Sequence, residues 1–308
     1  MPELPEVEVV RSGLEPVVTG ARITGVEVLE PRSLRRHAPG VADFEGRLTG
    51  RRIRAAVRRG KFLWFPLDGD GVGEALLAHL GMSGQMLLRT EDAESDRLMR
   101  VRLTLDSPAH GALAVAFVDQ RIFGSLALDP LVPTPDGAPG GLGDPAPALP
   151  HRVAHIARDP LDPAFDETVF STRLRAKRTV VKRALLDQTL ISGVGNIYAD
   201  EALWAARLHP ETRTAALTED DVDLLLTELR IVLERALADG GTSFDAQYVN
   251  VNGASGYFSQ RLNVYGRQGR PCARCGTPVV RESFMNRSSH FCPVCQSRPA
   301  DGPPIERS

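Results

Sequence analysis

Four cysteines fall in one pattern, Cys272-x2-Cys275-x16-Cys292-x2-Cys295. Paired CxxC steps at this spacing suit tetrahedral binding of one Zn2+ ion by four thiolates. Such a zinc would be structural, because four sulfur ligands leave no open position for a reacting water. Two disulfides are the alternative, disfavoured in a compartment that keeps thiols reduced. The residues between the pairs include Arg281, Arg287 and His290 and read as a hairpin shaped by the metal. On spacing alone, a purely structural ribbon and a nucleic-acid-binding one are equally open.

A second group with chemical potential opens the chain: Pro2, with Glu3 and Glu6 beside it. If Met1 is removed after synthesis, Pro2 exposes a secondary amine. An α-amino group titrates near pH 8, so at pH 7.5 roughly a quarter is neutral, against about 0.1% of a lysine. Such an amine can attack a sugar C1′ or an aldehyde and form an iminium. The plainer reading is an ordinary chain start whose glutamates stabilise a helix N-terminus.

The elements that would position these groups are visible in the patterning. Leu4, Val7, Val10, Leu14 and Val17 recur at helical intervals, and Pro5 suits a first turn. From Arg22 to about Leu128 short alternating segments, such as Val101, Leu103 and Leu105 between Arg100, Arg102 and Thr104, predict a β-sandwich or barrel-like domain. Residues 130–150, dense in Pro and Gly, have the composition of a solvated linker or loop, and the domain boundary is expected there. Helical periodicity follows after Asp166. Thr218 can cap a helix carrying Val222, Leu225, Leu226, Leu229, Val232, Leu233 and Leu237, with Gly240 ending it. Helices over Lys182–Leu190 and Ile197–Leu208 would flank the glycine-containing turn 191–196 as a helix-turn-helix unit.

Length and composition bound the possibilities. At 308 residues, 42% hydrophobic and 25% charged, the chain is expected to form two or three globular domains. Its longest uninterrupted apolar run, Ala112–Val118, is far short of the roughly 18 residues a membrane span needs. The start carries acids and prolines rather than a signal sequence, so a cytoplasmic protein is expected. The net charge of −2 argues against a polyanion partner, but the average hides two basic runs. Arg51, Arg52, Arg54, Arg58, Arg59 and Lys61 form one, and Arg173, Arg175, Lys177, Arg178, Lys182 and Arg183 the other, neither containing an acid. Phosphate binding follows local field rather than net charge.

The segments MPELPEVEVVRSGLE at 1–15, RRGKFL at 58–63, HLGMSG at 79–84, GVGNIYADEALW at 193–204 and GYFSQRLNVYGRQGRPC at 256–272, followed by the four-cysteine ribbon, carry a resemblance. Together they resemble the bacterial formamidopyrimidine-DNA glycosylases (Fpg/MutM) of the Fpg/Nei family, in family order from residue 1 to 295. The resemblance implies an α+β, two-domain fold: an N-terminal helix plus β-sandwich domain, then a helical helix-two-turn-helix domain with a zinc ribbon. The expected divisions are 1–130 for the catalytic sandwich, 131–160 for loop and linker, 161–260 for the helix-two-turn-helix, 261–297 for the zinc finger and 298–308 for a polar tail.

The implied activity is removal of oxidised purines, 8-oxoguanine and formamidopyrimidines, from duplex DNA by a monomer, with β,δ-elimination of the strand. In that scheme Pro2 is the nucleophile, Glu3 protonates the sugar ring oxygen and Glu6 supports the site. Lys61 falls on the family's motif lysine, near the lesion's phosphates; a plain exposed strand lysine is the alternative. Asn196 would cap the second helix of the turn and help hold a phosphate, as would Lys177 and Arg287. Met82, Arg121 and Phe123 match residues that fill the gap left by an extruded base; otherwise Met82 and Phe123 would be core residues. Residues 249–257 match a loop that covers the extruded base.

Three features depart from the common pattern. DQRIFG at 119–124 stands where DPRRFG is usual, the 130–150 stretch is long, and the tail after Cys295 is additional. The sister enzyme for oxidised pyrimidines, endonuclease VIII, usually begins PEGPE, so Leu4 favours the purine enzyme. A non-catalytic zinc protein that senses damage would have no need of Pro2, Glu3, Glu6 and Lys61 together.

Overall fold

The structure is a computed structural model that describes residues 2–69, 73–242, 251 and 261–299. The chain divides into two compact units, Met1–His155 with Leu237–Tyr257, and Ile156–Ala236 with Phe258–Ser308.

The first unit opens with helix α1 (Leu4–Val18), whose Leu4, Val7, Val10, Leu14 and Val17 are buried as the periodicity predicts. Pro5 occupies its first turn, where no backbone N–H is needed. Glu3 and Glu6 close a reciprocal capping box. There follow β1 (Arg22–Val28), α2 (Val41–Leu48), β2 (Val57–Arg59), β3 (Phe62–Leu67), β4 (Glu74–His79), β5 (Gly84–Arg89), β6 (Met99–Ser107), β7 (Gly111–Asp119), β8 (Ser125–Pro133) and β9 (Ala148–Pro150). They form two antiparallel sheets, in the orders β1-β6-β7-β5 and β2-β3-β4-β8-β9. In β6 every second residue from Met99 is buried and Arg100, Arg102, Thr104 and Asp106 point away, so one face of the strand is core. Val10 and Leu14 of α1 share that core with Phe65, Val101, Phe117 and Leu126 from both sheets.

Residues 134–147 are not a solvated linker. Thr134 N–H donates to Pro147 O (2.9 Å), Gly140 N–H to Ala146 O (2.9 Å), and Leu142 and Arg58 exchange backbone bonds of 2.9 Å in each direction. The segment therefore pairs with β2, capping an otherwise open sheet edge. Gly140, Gly141 and Gly143 serve close packing: a Cβ on Gly143, which sits at φ +113°, would lie 2.1 Å from Ala56 O. The division between units falls at His155/Ile156, some way beyond the Pro/Gly stretch.

The second unit contains α3 (Glu167–Ala176), α4 (Val181–Leu185), α5 (Asn196–Ala205), α6 (Glu219–Ala238) and the hairpin β10 (Val280–Phe284) and β11 (Arg287–Phe291). The last residues of α6 belong to the first unit. The helix expected over Lys182–Leu190 stops at Leu185. Beyond it side chains replace the helical ladder: Asp187 accepts from Thr189 N–H (2.9 Å), and Gln188 Oε1 accepts from Gly193 N–H (3.0 Å). Likewise α5 ends at Ala205, three residues before its expected end. Thr218 caps α6 as expected, its hydroxyl accepting from Asp221 N–H (3.1 Å) while the Asp221 carboxylate accepts from Thr218 N–H (2.9 Å). The start of the tail is folded, with the Gln296 side chain bonded to Cys292 N–H and Leu208 O, and residues 300–308 lie outside the described residues. No described helix is long and apolar enough to cross a membrane.

Candidate active site and nucleic-acid interface

Helix α1 sets the first group of expected site residues. Pro2, Glu3 and Glu6 are all buried, and Glu3 N–H donates to Glu6 Oε2 at 2.9 Å. The other Glu6 oxygen accepts from Thr242 N–H and Thr242 Oγ1, both at 2.8 Å. With both oxygens engaged, Glu6 is fixed in place and holds the backbone that joins Pro2 to the helix. Thr242 thus supports the site from the far end of the sequence, and no local pattern pointed to it.

Lys61 lies in the turn between β2 and β3 and is 9% exposed, so it is not an exposed strand lysine. The turn is built from α1: Glu8 accepts from Arg58 Nε (2.8 Å), and Arg58 NH1 donates to Gly60 O (3.2 Å). Beside it stands His79, which sequence reasoning missed although it begins the HLGMSG segment. His79 faces Phe62 across β3 and β4, with ring centroids 4.9 Å apart. Burial first, then the charges of Arg36, Lys61 and Arg35, pull its pKa down to about 4. The ring is neutral at pH 7, and because Nδ1 accepts from Gly81 N–H (3.1 Å), Nε2 carries the proton. The site therefore has an uncharged N–H donor next to a lysine.

Met82 and Phe123 are 43% and 51% exposed, so neither is a core residue. They sit on adjoining turns, and Arg121, also exposed, lies on the second. Ser83 Oγ donates to Asp119 Oδ1 (2.6 Å) and accepts from Arg121 N–H (3.2 Å), joining the two turns. Of residues 249–257 only Val251 is described; it packs in the first unit's core, and the rest of the expected covering loop lies outside the described residues.

Lys177, Asn196 and Arg287 belong to the second unit. Asn196 does not cap α5: Gly195 is the N-cap, and Asn196 is the first helical residue. Its Nδ2 instead donates to Ser288 O (3.0 Å), next to the exposed Arg287. The same carbonyl accepts from Lys182 Nζ (2.8 Å), which is fully buried against Asp200 (2.6 Å). Asp200 also accepts from His290 N–H (2.9 Å), so a buried charge pair fixes the zinc hairpin to α4 and α5. Lys177, Arg178, Arg183 and Arg287 line an open cleft of about 720 Å³. Lys177 is there paired with Asp187 at 2.7 Å.

The four cysteine sulfurs lie within 4.8 Å of one another, with pairs at 3.5, 3.5 and 4.0 Å. Tetrahedral Zn–S bonds of about 2.3 Å put sulfurs roughly 3.8 Å apart, so the donor set fits zinc. As free thiols they could not all ionise. Burial and the three neighbouring sulfurs push Cys295 up to about 12, and a dication is what would hold four thiolates together.

An antiparallel sandwich with Pro2 buried at the head of its first helix, and a helical unit that ends in a four-cysteine ribbon, define a helix-two-turn-helix zinc protein. Family models sharpen this: "Formamidopyrimidine-DNA glycosylase N-terminal domain" matches residues 1–126, "Formamidopyrimidine-DNA glycosylase H2TH domain" residues 156–247, and "Zinc finger found in FPG and IleRS" residues 269–298. The chain belongs to the formamidopyrimidine-DNA glycosylase family. It is 64% identical over 296 residues to the formamidopyrimidine-DNA glycosylase of Leifsonia xyli, covering 96% of this chain and 99% of that one. Identity to the Thermobifida fusca protein is 59%, covering 97% and 98%. Among solved structures, the complex of Lactococcus lactis Fpg with DNA containing an abasic site has a TM-score of 0.79 at 32% identity, covering 96% of this chain and all of that one. A mutant of the same protein bound to Fapy-dG-containing DNA gives 0.79 at 33%. The ribbon holds a single structural zinc through Cys272, Cys275, Cys292 and Cys295.

Proposed function

We propose that this chain excises oxidised purines, 8-oxoguanine and formamidopyrimidines, from duplex DNA and then cuts the strand, with Pro2 as its nucleophile. The observation that carries this reading is the N-terminal group: Pro2 buried at the head of α1, beside Glu3 and a Glu6 fixed at both oxygens. After Met1 is removed, the Pro2 nitrogen attacks C1′ of the damaged nucleoside and the base leaves with the bonding electron pair. Glu3 protonates the ring oxygen as the sugar opens, giving an iminium between Pro2 and C1′. The iminium acidifies C2′–H, so loss of that proton to water expels the 3′ phosphate, and loss of the C4′ proton from the resulting unsaturated iminium then expels the 5′ phosphate. Water then hydrolyses the imine and restores the amine. Glu6 acts by holding the Glu3 backbone, and Lys61 and His79 supply a cation and an N–H donor for the strand's phosphates.

In the second unit Arg287, Asn196 and Lys177 serve the phosphate backbone. Zinc contributes no chemical step; the four cysteines that hold it shape the hairpin carrying Arg287. The protein acts as a cytoplasmic monomer on damaged duplex DNA at the nucleoid. Borohydride reduction during turnover of an 8-oxoguanine duplex is expected to link the DNA to the N-terminal peptide, with Met1 absent by mass. An adduct at Lys61 or any other lysine would refute the assignment of the nucleophile.

A further inference from the structure

The turn that carries Arg121 and Phe123 has an unusual backbone. Ile122, a β-branched residue, sits at φ +56°, a left-handed conformation that such side chains rarely adopt. A turn of this kind persists only where its surroundings hold it. Two side chains do so from opposite sides. The fully buried Asp119 takes the N–H groups: Oδ1 accepts from Arg121 N–H (3.1 Å) and Oδ2 from Gly124 N–H (2.7 Å). Arg35 takes the carbonyls. Its NH1 donates to Gly124 O (2.5 Å) and Ile122 O (3.3 Å), and its NH2 to Phe123 O (2.5 Å). Three consecutive carbonyls thus converge on one guanidinium.

We propose that Arg35 is a positioning residue for base extrusion, holding the 121–124 turn in the shape that presents Phe123 and Arg121 to the duplex. The inference rests on the glycosylase reading above and adds to it a residue outside the resembling motifs. Arg35 is suited to the task by its own setting. It follows the 3-10 turn Pro31–Leu34, whose Leu34 is buried in the first unit's core, so the guanidinium projects from a fixed base. A lysine could not substitute, because one ammonium cannot span three carbonyls as a planar fork does.

The turn bearing Met82 is tied to the same body. Ser83 bonds both Asp119 and Arg121, and Gly81 packs so closely that a Cβ on it would lie 2.4 Å from the Phe123 carbonyl carbon. Left loose, exposed Met82 and Phe123 would fold down onto apolar surface. Clamped, they stand ready to replace lost stacking without first being ordered, which lowers the cost of extruding a base.

Arg35→Met and Arg35→Lys in the full-length protein test this. Arg35 is exposed while Asp119 and the core remain intact, so both variants are expected to fold. In the DNA-free protein, amide exchange at Gly124, whose N–H is bonded to Asp119, should accelerate about tenfold in both as the turn opens. Single-turnover excision of 8-oxoguanine opposite cytosine should fall by about tenfold or more, while cleavage of a preformed abasic duplex changes less than about twofold. Unchanged exchange would overturn the clamp. Equal losses on both duplexes with a shallower salt dependence would also overturn it, making Arg35 a phosphate contact. A wild-type protein inactive on both duplexes would instead refute the glycosylase reading, and the exchange rates would still decide the clamp.

Discussion

Arg58 and Lys61 belong to one basic run, yet the fold gives them opposite tasks. Arg58 is buried against Glu8 and spends its charge inside the unit, whereas Lys61 stands at the turn that Arg58 shapes. Lys182 and Lys177 divide the second run in the same way, Lys182 being fully buried on Asp200. Charge counting along the sequence could not separate them, because the deciding partner is distant: Glu8 is fifty residues from Arg58. Arg121 is different, since its backbone is bonded and its side chain is exposed. Arg121→Ala is therefore expected to keep the turn but lose a directed donor to the orphaned base. Excision of 8-oxoguanine should slow strongly, and discrimination between cytosine and adenine opposite it should fall by about 1–3 kcal/mol, or roughly five- to 150-fold. Measuring excision from both duplexes checks this; an unchanged cytosine-to-adenine ratio would remove Arg121 from base reading. The metal site was legible at this scale because its four cysteines fall within one short stretch, and the proposed N-terminal group because Pro2 adjoins Glu3. Thr242, His79 and Arg35 were not, since each acts through contacts that only the fold creates.

At the scale of elements, period and capping were dependable guides wherever the element packs one face. Helix α1, the alternation of β6 and the Thr218 cap of α6 were all readable for that reason. The guides failed where tertiary contacts replace the local ladder, as after Leu185. They also failed where glycine serves close approach rather than freedom, as at Gly143. The zinc hairpin joins both cases: its cysteines are plain in the sequence, but its attachment to α4 and α5 through Lys182, Asp200 and His290 is not. That attachment bears on metal loss. Cys292→Ser should release zinc and let the Arg287 turn drift, while the helices keep their own buried apolar faces. DNA affinity is expected to fall by about tenfold or more with little change in helical circular dichroism. A matching loss of helical signal would show that the ribbon supports the whole second unit, and zinc-free wild-type protein with full affinity would show that it supports nothing.

For the molecule as a whole, a net charge of −2 conceals where the field lies. The acids Glu219, Asp220 and Asp221 gather in the first turn of α6, while Lys177, Arg178, Arg183 and Arg287 line one cleft. Each phosphate neutralised on duplex DNA releases counterions and adds about −0.9 to the slope of log K against log salt. If three to five of the exposed cations are engaged, the slope is roughly −2.7 to −4.5, and affinity falls between about fortyfold and five-hundredfold from 50 to 200 mM salt. The individual cations should not contribute equally. Arg287 has no acid partner among the described ion pairs, whereas Lys177 must give up Asp187 at 2.7 Å before it can meet a phosphate. Exchanging one anion for another releases fewer ions, so Arg287→Ala should make the slope shallower by about 0.9 and Lys177→Ala by clearly less. Fluorescence anisotropy across a salt series measures both. Equal changes in the two variants would show that Asp187 does not compete with DNA, and a wild-type slope near zero would show that the protein does not dock through phosphates.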